Sequence, residues 1–225
     1  MISEQAVTLG VEPGVTLEAR TAVPDGARTG IAICHPHPLY GGDMDNPVVV
    51  RAAEVGAEAG LATIRFNFRG VGRSTGTHGG GDAERRDLAA ALTHLGAVLP
   101  ADSTLIAAGY SFGAMVAAHV AAAGGASALA LIAPPLGLDA FRRLPELPAR
   151  LPLFIGVGSA DEYCPPEAID RLREALPQAA ITVVEGANHF FFGKLHPLGA
   201  ALDGWLRATV ASLDARQTRG RGGAG

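Results

Sequence analysis

The chain has 225 residues, of which 48% are hydrophobic and 18% charged, and its formal net charge is −4. This length and composition fit one α/β domain with a buried core and exclude a disordered chain. The weak negative charge gives no reason to expect nucleic acid or an anionic membrane as a partner. The sequence begins without a signal-peptide pattern, and Cys34 and Cys164 are its only cysteines. We therefore expect a cytoplasmic protein with reduced thiols and no membrane span.

The predicted elements begin with a hairpin and then alternate between strands and helices. Apolar runs predict strands at 7–9, 15–19, 30–34, 62–66, 105–108, 127–132, 152–158 and 181–184. Helices are predicted at 47–60, 82–99, 112–123, 165–176 and 198–213, the first capped by Asn46 and the second by Asp82. This order predicts an α/β fold whose doubly wound, mainly parallel sheet carries the antiparallel hairpin at one edge.

We expect residues 1–213 to form this single domain. Residues 214–225 are rich in glycine and arginine, a composition typical of disordered termini. They are therefore predicted to be a disordered tail.

The unusual loops of the chain all follow predicted strands. They lie at residues 35–42, 67–74, 109–113, 159–165 and 186–189. Ligands bind at the carboxyl ends of the strands in parallel sheets, because the loops that leave those ends converge there. A functional site is therefore expected at this edge of the predicted sheet.

The strongest motif is Gly-Tyr-Ser-Phe-Gly at residues 109–113, placed between a predicted strand and a predicted helix. In such a turn the two glycines remove Cβ atoms where strand and helix nearly collide, and the serine hydroxyl is held clear of the sheet. The start of the following helix adds free N–H groups and a partial positive charge. Ser111 is therefore the candidate nucleophile.

A serine nucleophile needs a base, and the base needs a third group to orient it. Among the seven histidines, His189 is the candidate because it follows the last predicted strand and stands after Ser111 in the chain. Asp161 follows the preceding strand and is the candidate acid, with Glu162 and Asp139 as alternatives. The order Ser, Asp, His is the one that this architecture uses.

Acyl transfer also produces an oxyanion that needs preorganised N–H donors. We expect these donors to be the amides of Phe112 and Tyr40, with Leu39 as the alternative to Tyr40. The side chains of Leu39, Tyr110 and Phe190 are expected to contact the substrate.

No cofactor and no metal are expected. His35 and His37 can be interpreted as a metal-binding pair, but Pro36 between them and the lack of a matching set of carboxylates and histidines argue against this.

Together, residues 109–113, Asp161 and His189 resemble the nucleophile turn, acid and base of the α/β-hydrolase superfamily. The stretches 35–46, 65–74 and 188–195 are similar to a small bacterial group within it that lacks a lid and is akin to dienelactone hydrolases and carboxylesterases. The resemblance covers residues 25–210. Dienelactone hydrolases carry a cysteine where Ser111 stands, and many superfamily members carry aspartate at the position of Asn67.

The resemblance implies a serine hydrolase that cleaves small carboxylic esters through an acyl-enzyme. The segment between residue 132 and the next strand is too short for a helical lid, so the substrate is expected to be a small, soluble ester. An acyltransferase, thioesterase or peptidase would use the same residues, and a binding protein without turnover could keep the same fold. A monomer or a homodimer fits the sequence.

Overall fold

The computed structural model describes the backbone of residues 3–222 and the side chains of residues 3–215. Its strands are β1 (Gln5–Glu12), β2 (Val15–Ala22), β3 (Thr29–Cys34), β4 (Ala62–Phe66), β5 (Thr104–Tyr110), β6 (Ala128–Ile132), β7 (Leu153–Gly158) and β8 (Ala179–Val184). Its helices are α1 (Pro47–Glu58), α2 (Glu84–Val98), α3 (Phe112–Ala122), α4 (Pro166–Ala175) and α5 (Leu195–Gly222).

The strands form one sheet in the order β1-β2-β4-β3-β5-β6-β7-β8. Strands β3 to β8 run parallel to one another, whereas β1 pairs antiparallel with β2 and β2 pairs antiparallel with β4. The predicted mainly parallel sheet with an N-terminal antiparallel hairpin is thereby confirmed. The carboxyl ends of β3 to β8 meet at one edge, which is where the unusual loops lie.

Helices cover both faces of the sheet, so the central strands are apolar on both sides. Ile31 and Ile33 of β3 belong to the core cluster under α1 and α5. Ala32 and Cys34 point to the opposite cluster, which α2, α3 and α4 cover. All four of these side chains are fully buried.

The first N–H groups of a helix have no partner within it, and α1 and α2 differ in whether a side chain caps them. The Asn46 side chain caps α1 by accepting from the Val48 amide at 3.0 Å, as predicted. The predicted cap of α2 by Asp82 is wrong, because the chain stays in a turn until Glu84. Asp82 instead forms an ion pair with Arg85.

The last helix differs from the sequence prediction at both ends. Helix α5 begins at Leu195 rather than 198, since Pro197 is tolerated within the first turn. It continues to Gly222, nine residues beyond the predicted end at residue 213, and the predicted disorder of the tail stays a prediction. The segment 205–219 contains neither Gly nor Pro, and Ala, Leu, Arg and Gln within it favour helix. Residues 223–225 lie outside the described residues.

The predicted absence of a lid is confirmed. Between β6 and β7 the chain contains only a short 3₁₀ turn at Asp139–Phe141. In the part of the chain that the structure describes, no helix is both long enough and apolar enough to cross a bilayer.

The loop that follows β3 is tied to the start of the chain through Arg65 of β4. The Arg65 guanidinium is nearly buried and binds the Glu4 carboxylate at 2.8 and 2.6 Å. It also donates to the Met44 carbonyl at 2.9 Å and pairs with Asp45. Glu4 and Asp45 thus both bind the nearly buried guanidinium of Arg65.

Asn67, after β4, supports the same loop from the other side. Its Oδ1 accepts from the Met44 amide at 2.8 Å, and its Nδ2 donates to Glu18 Oε2 at 2.9 Å. An aspartate here would offer no donor and would place a second carboxylate against Glu18. The asparagine is therefore required by Glu18.

Candidate active site

Ser111 occupies a sharp turn between β5 and α3. Its backbone has φ 55° and ψ −118°, a strained conformation that costs about 1–3 kcal/mol for a residue other than glycine. A Cβ at position 109 would lie 2.1 Å from the Gly113 carbonyl oxygen, and a Cβ at position 113 would lie 2.5 Å from the His35 carbonyl oxygen. Both glycines of the motif are thus required by close backbone contact.

The loops after β5, β7 and β8 bring three distant side chains together. His189 Nε2 lies 3.0 Å from Ser111 Oγ. His189 Nδ1 lies 3.0 Å from each carboxylate oxygen of Asp161. His189 and Asp161 are 6% and 3% exposed, so water screens this hydrogen-bonded chain only weakly. The predicted nucleophile, base and acid are therefore within hydrogen-bonding reach of one another.

The Asp161 carboxylate is fixed by the backbone of its own loop. Oδ1 accepts from the amides of Tyr163 at 2.8 Å and Cys164 at 3.1 Å. Of the two alternative acids, Glu162 is exposed, and Asp139 is exposed and paired with Arg142. Asp161 is thus the acid that the fold places against His189.

The loops that carry Asp161 and His189 are joined by their backbones. The Ser159 amide donates to the Val184 carbonyl at 3.0 Å, and the Ala160 amide donates to the Ala187 carbonyl at 2.9 Å. These bonds extend the pairing of β7 and β8 beyond the sheet. Main-chain hydrogen bonds therefore help to fix the distance from the Asp161 carboxylate to the His189 imidazole.

Tyr110 does not lie in a position to contact substrate, which corrects the sequence prediction. Its side chain is 1% exposed, and its hydroxyl donates to the His189 carbonyl at 3.1 Å. Burial, with a smaller contribution from the Asp161 charge, raises the pKa of the Tyr110 phenol. Tyr110 therefore positions the backbone of His189.

His35 holds the loop after β3 in place. Its Nδ1 lies 2.6 Å from the Pro36 carbonyl oxygen, and its Nε2 accepts from the Phe68 amide at 3.0 Å. Burial lowers the pKa of this imidazole to about 4, so the ring is neutral near pH 7. Both ring nitrogens are used by the backbone, which leaves neither free for a metal.

The prediction that Tyr40 supplies an oxyanion donor is wrong. Its amide donates to the His37 carbonyl at 3.1 Å within a 3₁₀ turn, and the alternative Leu39 amide donates to His37 Nδ1 at 3.2 Å. Their side chains are 87% and 70% exposed. The 3₁₀ turn thus uses the Tyr40 N–H, and the His37 side chain uses the Leu39 N–H.

The amides of Phe112 and His37 make no hydrogen bond to another described residue. Phe112 is the first residue of α3, so its N–H has no partner within the helix. The His37 amide makes no hydrogen bond to any other described residue, and its ring lies 4.8 Å from the Phe112 ring. The sequence feature that could have indicated His37 is its position in the loop directly after β3, before Gly41 and Gly42.

Aromatic and imidazole rings surround these groups on two sides. His78 and Phe141 lie within 5.5 and 6.2 Å of the Phe112 ring, measured between ring centroids. On the other side, Phe190 is half exposed and lies 5.6 Å from the His189 ring. Its position at the mouth of the site agrees with the predicted contact with substrate, which stays a prediction.

Comparisons with known proteins agree with this architecture. A family model described as an alpha/beta hydrolase domain matches residues 37–213. An uncharacterized protein of Rickettsia prowazekii (strain Madrid E) is 32% identical over 203 residues, which cover 86% of this chain and 85% of that protein. The chain therefore belongs to the α/β-hydrolase family.

Two solved structures are similar in both sequence and fold. An alpha-beta serine hydrolase homologue from Coxiella burnetii is 36% identical, with a TM-score of 0.79 over 90% of this chain and 97% of that chain. A member of the α/β serine hydrolases without lid, from Xanthomonas campestris, is 36% identical, with a TM-score of 0.81 over 92% of this chain and 94% of that chain.

Proposed function

We propose that this protein is a serine hydrolase that cleaves carboxylic esters through an acyl-enzyme. The observation that supports this most directly is the unbroken chain of contacts from Ser111 Oγ through His189 to Asp161. Ser111 is the nucleophile, His189 the general base, and Asp161 the group that orients the imidazole and stabilises its charged form.

In acylation, Ser111 Oγ attacks the ester carbonyl carbon as its proton moves to His189 Nε2. The carbonyl oxygen becomes an oxyanion, which the amides of Phe112 and His37 stabilise. When the intermediate collapses, the bond between the carbonyl carbon and the ester oxygen breaks. His189 returns its proton to that oxygen, and the alcohol leaves.

Deacylation repeats these steps with water. His189 takes a proton from water as the water oxygen attacks the acyl carbon, and the proton then returns to Ser111 Oγ. The carboxylic acid leaves and the free enzyme is restored. No lid covers Ser111, so water reaches the acyl-enzyme directly.

The test is the Ser111→Ala variant assayed on p-nitrophenyl acetate. We expect kcat/KM to fall by at least about 10³-fold, because no other group forms the acyl-enzyme. Ser212→Ala is the matched control, since Ser212 is exposed on α5 far along the chain from the site. Circular dichroism should be unchanged in both variants.

Equal turnover by wild type and Ser111→Ala would contradict the proposal. Failure of a fluorophosphonate probe to label wild-type Ser111 would instead favour a binding protein without turnover. Product analysis with a competing alcohol or amine would separate hydrolysis from acyl transfer.

A further inference from the structure

Two large aromatic side chains next to His189 face solvent. Phe190 is 50% exposed and Phe192 is 75% exposed. Their rings are stacked, with centroids 5.5 Å apart and planes inclined by 20°. The pair therefore presents a flat aromatic surface at the rim of the candidate site. Two exposed rings contribute nothing to the packing of the core, so their exposure indicates a binding surface.

Phe191, between them, is the anchor that maintains this arrangement. Its side chain is fully buried in the core cluster that also contains Tyr110. Its backbone has a positive φ of 52°, which is strained for an aromatic residue. Its amide donates to the Asn188 carbonyl at 3.1 Å, and its carbonyl accepts from the Lys194 amide at 2.9 Å. The fold thus accepts a strained backbone at Phe191, and this backbone leaves the rings of Phe190 and Phe192 outside the core.

The chemistry of ester cleavage decides which part of a substrate lies on this surface. His189 Nε2 must reach the ester oxygen in order to protonate the departing alcohol. The Phe190 ring is only 5.6 Å from the His189 ring and nearly perpendicular to it. The alcohol portion, which departs past His189, therefore lies against Phe190 and Phe192.

The carbonyl oxygen meets a different environment. In the proposed mechanism it binds the amides of Phe112 and His37, and the imidazoles of His37 and His78 lie 5.1 Å apart next to the Phe112 ring. His78 in turn contacts the buried Glu84 carboxylate at 2.9 Å. Phe112 and Phe141 also lie on this side, so it is the contact of Phe190 with the His189 ring that assigns aryl recognition to the alcohol portion.

We propose that Phe190 and Phe192 bind an aromatic ring in the alcohol portion, and that the substrates are esters of alcohols that carry an aryl group. This inference rests on the proposed function and specifies its substrate class. Offset stacking and edge-to-face contact with a third ring favour an aromatic group over a saturated one of the same size.

The experiment compares three acetates: 2-phenylethyl acetate, 2-cyclohexylethyl acetate and ethyl acetate. The acyl group is constant, and the first two alcohols differ only in the aromaticity of the ring. The variants are Phe190→Ala/Phe192→Ala and Phe192→Leu, which keeps an apolar side chain without a ring. Val98→Ala is the control, because Val98 is an exposed apolar residue at the end of α2.

We expect wild type to cleave 2-phenylethyl acetate with a kcat/KM on the order of tenfold above that for the cyclohexyl ester. The double variant should lose this preference through a higher KM for 2-phenylethyl acetate. Phe192→Leu should lose part of the preference, and Val98→Ala none.

Equal kcat/KM values for the two ring-bearing esters in wild type would overturn the inference. So would a double variant that keeps the preference but changes from dimer to monomer, since the pair would then serve an interface. If ethyl acetate is cleaved in a Ser111-dependent way without any aryl preference, only this inference fails. If wild type cleaves none of the esters, the proposed function fails.

Discussion

Two buried histidines lie on opposite sides of Ser111, and they differ in what their ring nitrogens contact. His189 contacts side chains, with Asp161 at one nitrogen and the Ser111 hydroxyl at the other. His35 contacts only backbone, with the Pro36 carbonyl at one nitrogen and the Phe68 amide at the other. A hydroxyl can surrender its proton to an imidazole, whereas a backbone amide cannot. Burial is shared by both, so the partners determine which histidine is suited to proton transfer.

The largest effect should come from removing each imidazole in turn. His189→Ala should reduce kcat/KM for p-nitrophenyl acetate by about 10⁴-fold, with a smaller loss of stability than His35→Ala, because Asp161 keeps the Tyr163 and Cys164 amides as donors. His35→Ala should lower the free energy of unfolding by about 2–4 kcal/mol, because it leaves the Phe68 amide unpaired and opens a cavity. Urea unfolding and steady-state kinetics measure both quantities.

The opposite pattern, with His35→Ala inactive but stable and His189→Ala active but unstable, would contradict the assignment of roles. Activity of His35→Ala must be measured at a temperature where the variant is folded, as shown by circular dichroism.

Lowering the pH should lower the free energy of unfolding through the protonation of His35. The pKa of His35 is lowered to about 4 in the folded protein, against about 6.5 in the unfolded chain. The unfolded chain therefore binds a proton first as the pH falls. The contribution of neutral His35 to the free energy of unfolding is fully present above pH 6.5. It is lost as the pH falls towards 4, by up to about 3 kcal/mol.

The control for the acid effect is His35→Gln, which keeps a donor and an acceptor but does not titrate. The difference in free energy of unfolding between wild type and this variant should shrink as the pH is lowered from 7 to 4. A difference that is constant over this range would show that another group causes the acid sensitivity.

A smaller effect is expected when the hydrogen bond from Tyr110 to the His189 backbone is removed. Tyr110→Phe removes the donor to the His189 carbonyl and should lower the free energy of unfolding by about 1 kcal/mol. We expect kcat/KM to fall by less than about tenfold, since the contacts of the imidazole ring remain. Tyr40→Phe, at an 87% exposed side chain, should change neither quantity. A loss as large as that of His189→Ala would assign Tyr110 a direct chemical role.

The sequence was sufficient to predict the parts of the site that local geometry determines. The glycines at 109 and 113 predicted the turn around Ser111 because each forbids a side chain for steric reasons. The placement of Asp161 and His189 after parallel strands predicted their approach, since such strand ends share one edge.

The parts that failed depend on contacts between distant segments. Tyr40 was a reasonable donor as long as residues 38–42 were taken for an open loop, but the 3₁₀ turn uses its amide. Tyr110 precedes Ser111 directly, yet strand alternation turns its side chain into the core. Helix α5 extends beyond its predicted end because the helix-forming residues before Gly220 continue it past residue 213.

The bond between Glu4 and Arg65 has a practical consequence for anyone who clones this gene. Arg65 shares its guanidinium between Glu4 and Asp45, and Asp45 belongs to the loop that also contains His35 and His37. Removing Glu4, or crowding it with a fused purification tag, would take one carboxylate from that shared cation and loosen the loop that carries His37. Recombinant designs should therefore keep Glu4 and attach any purification tag away from it.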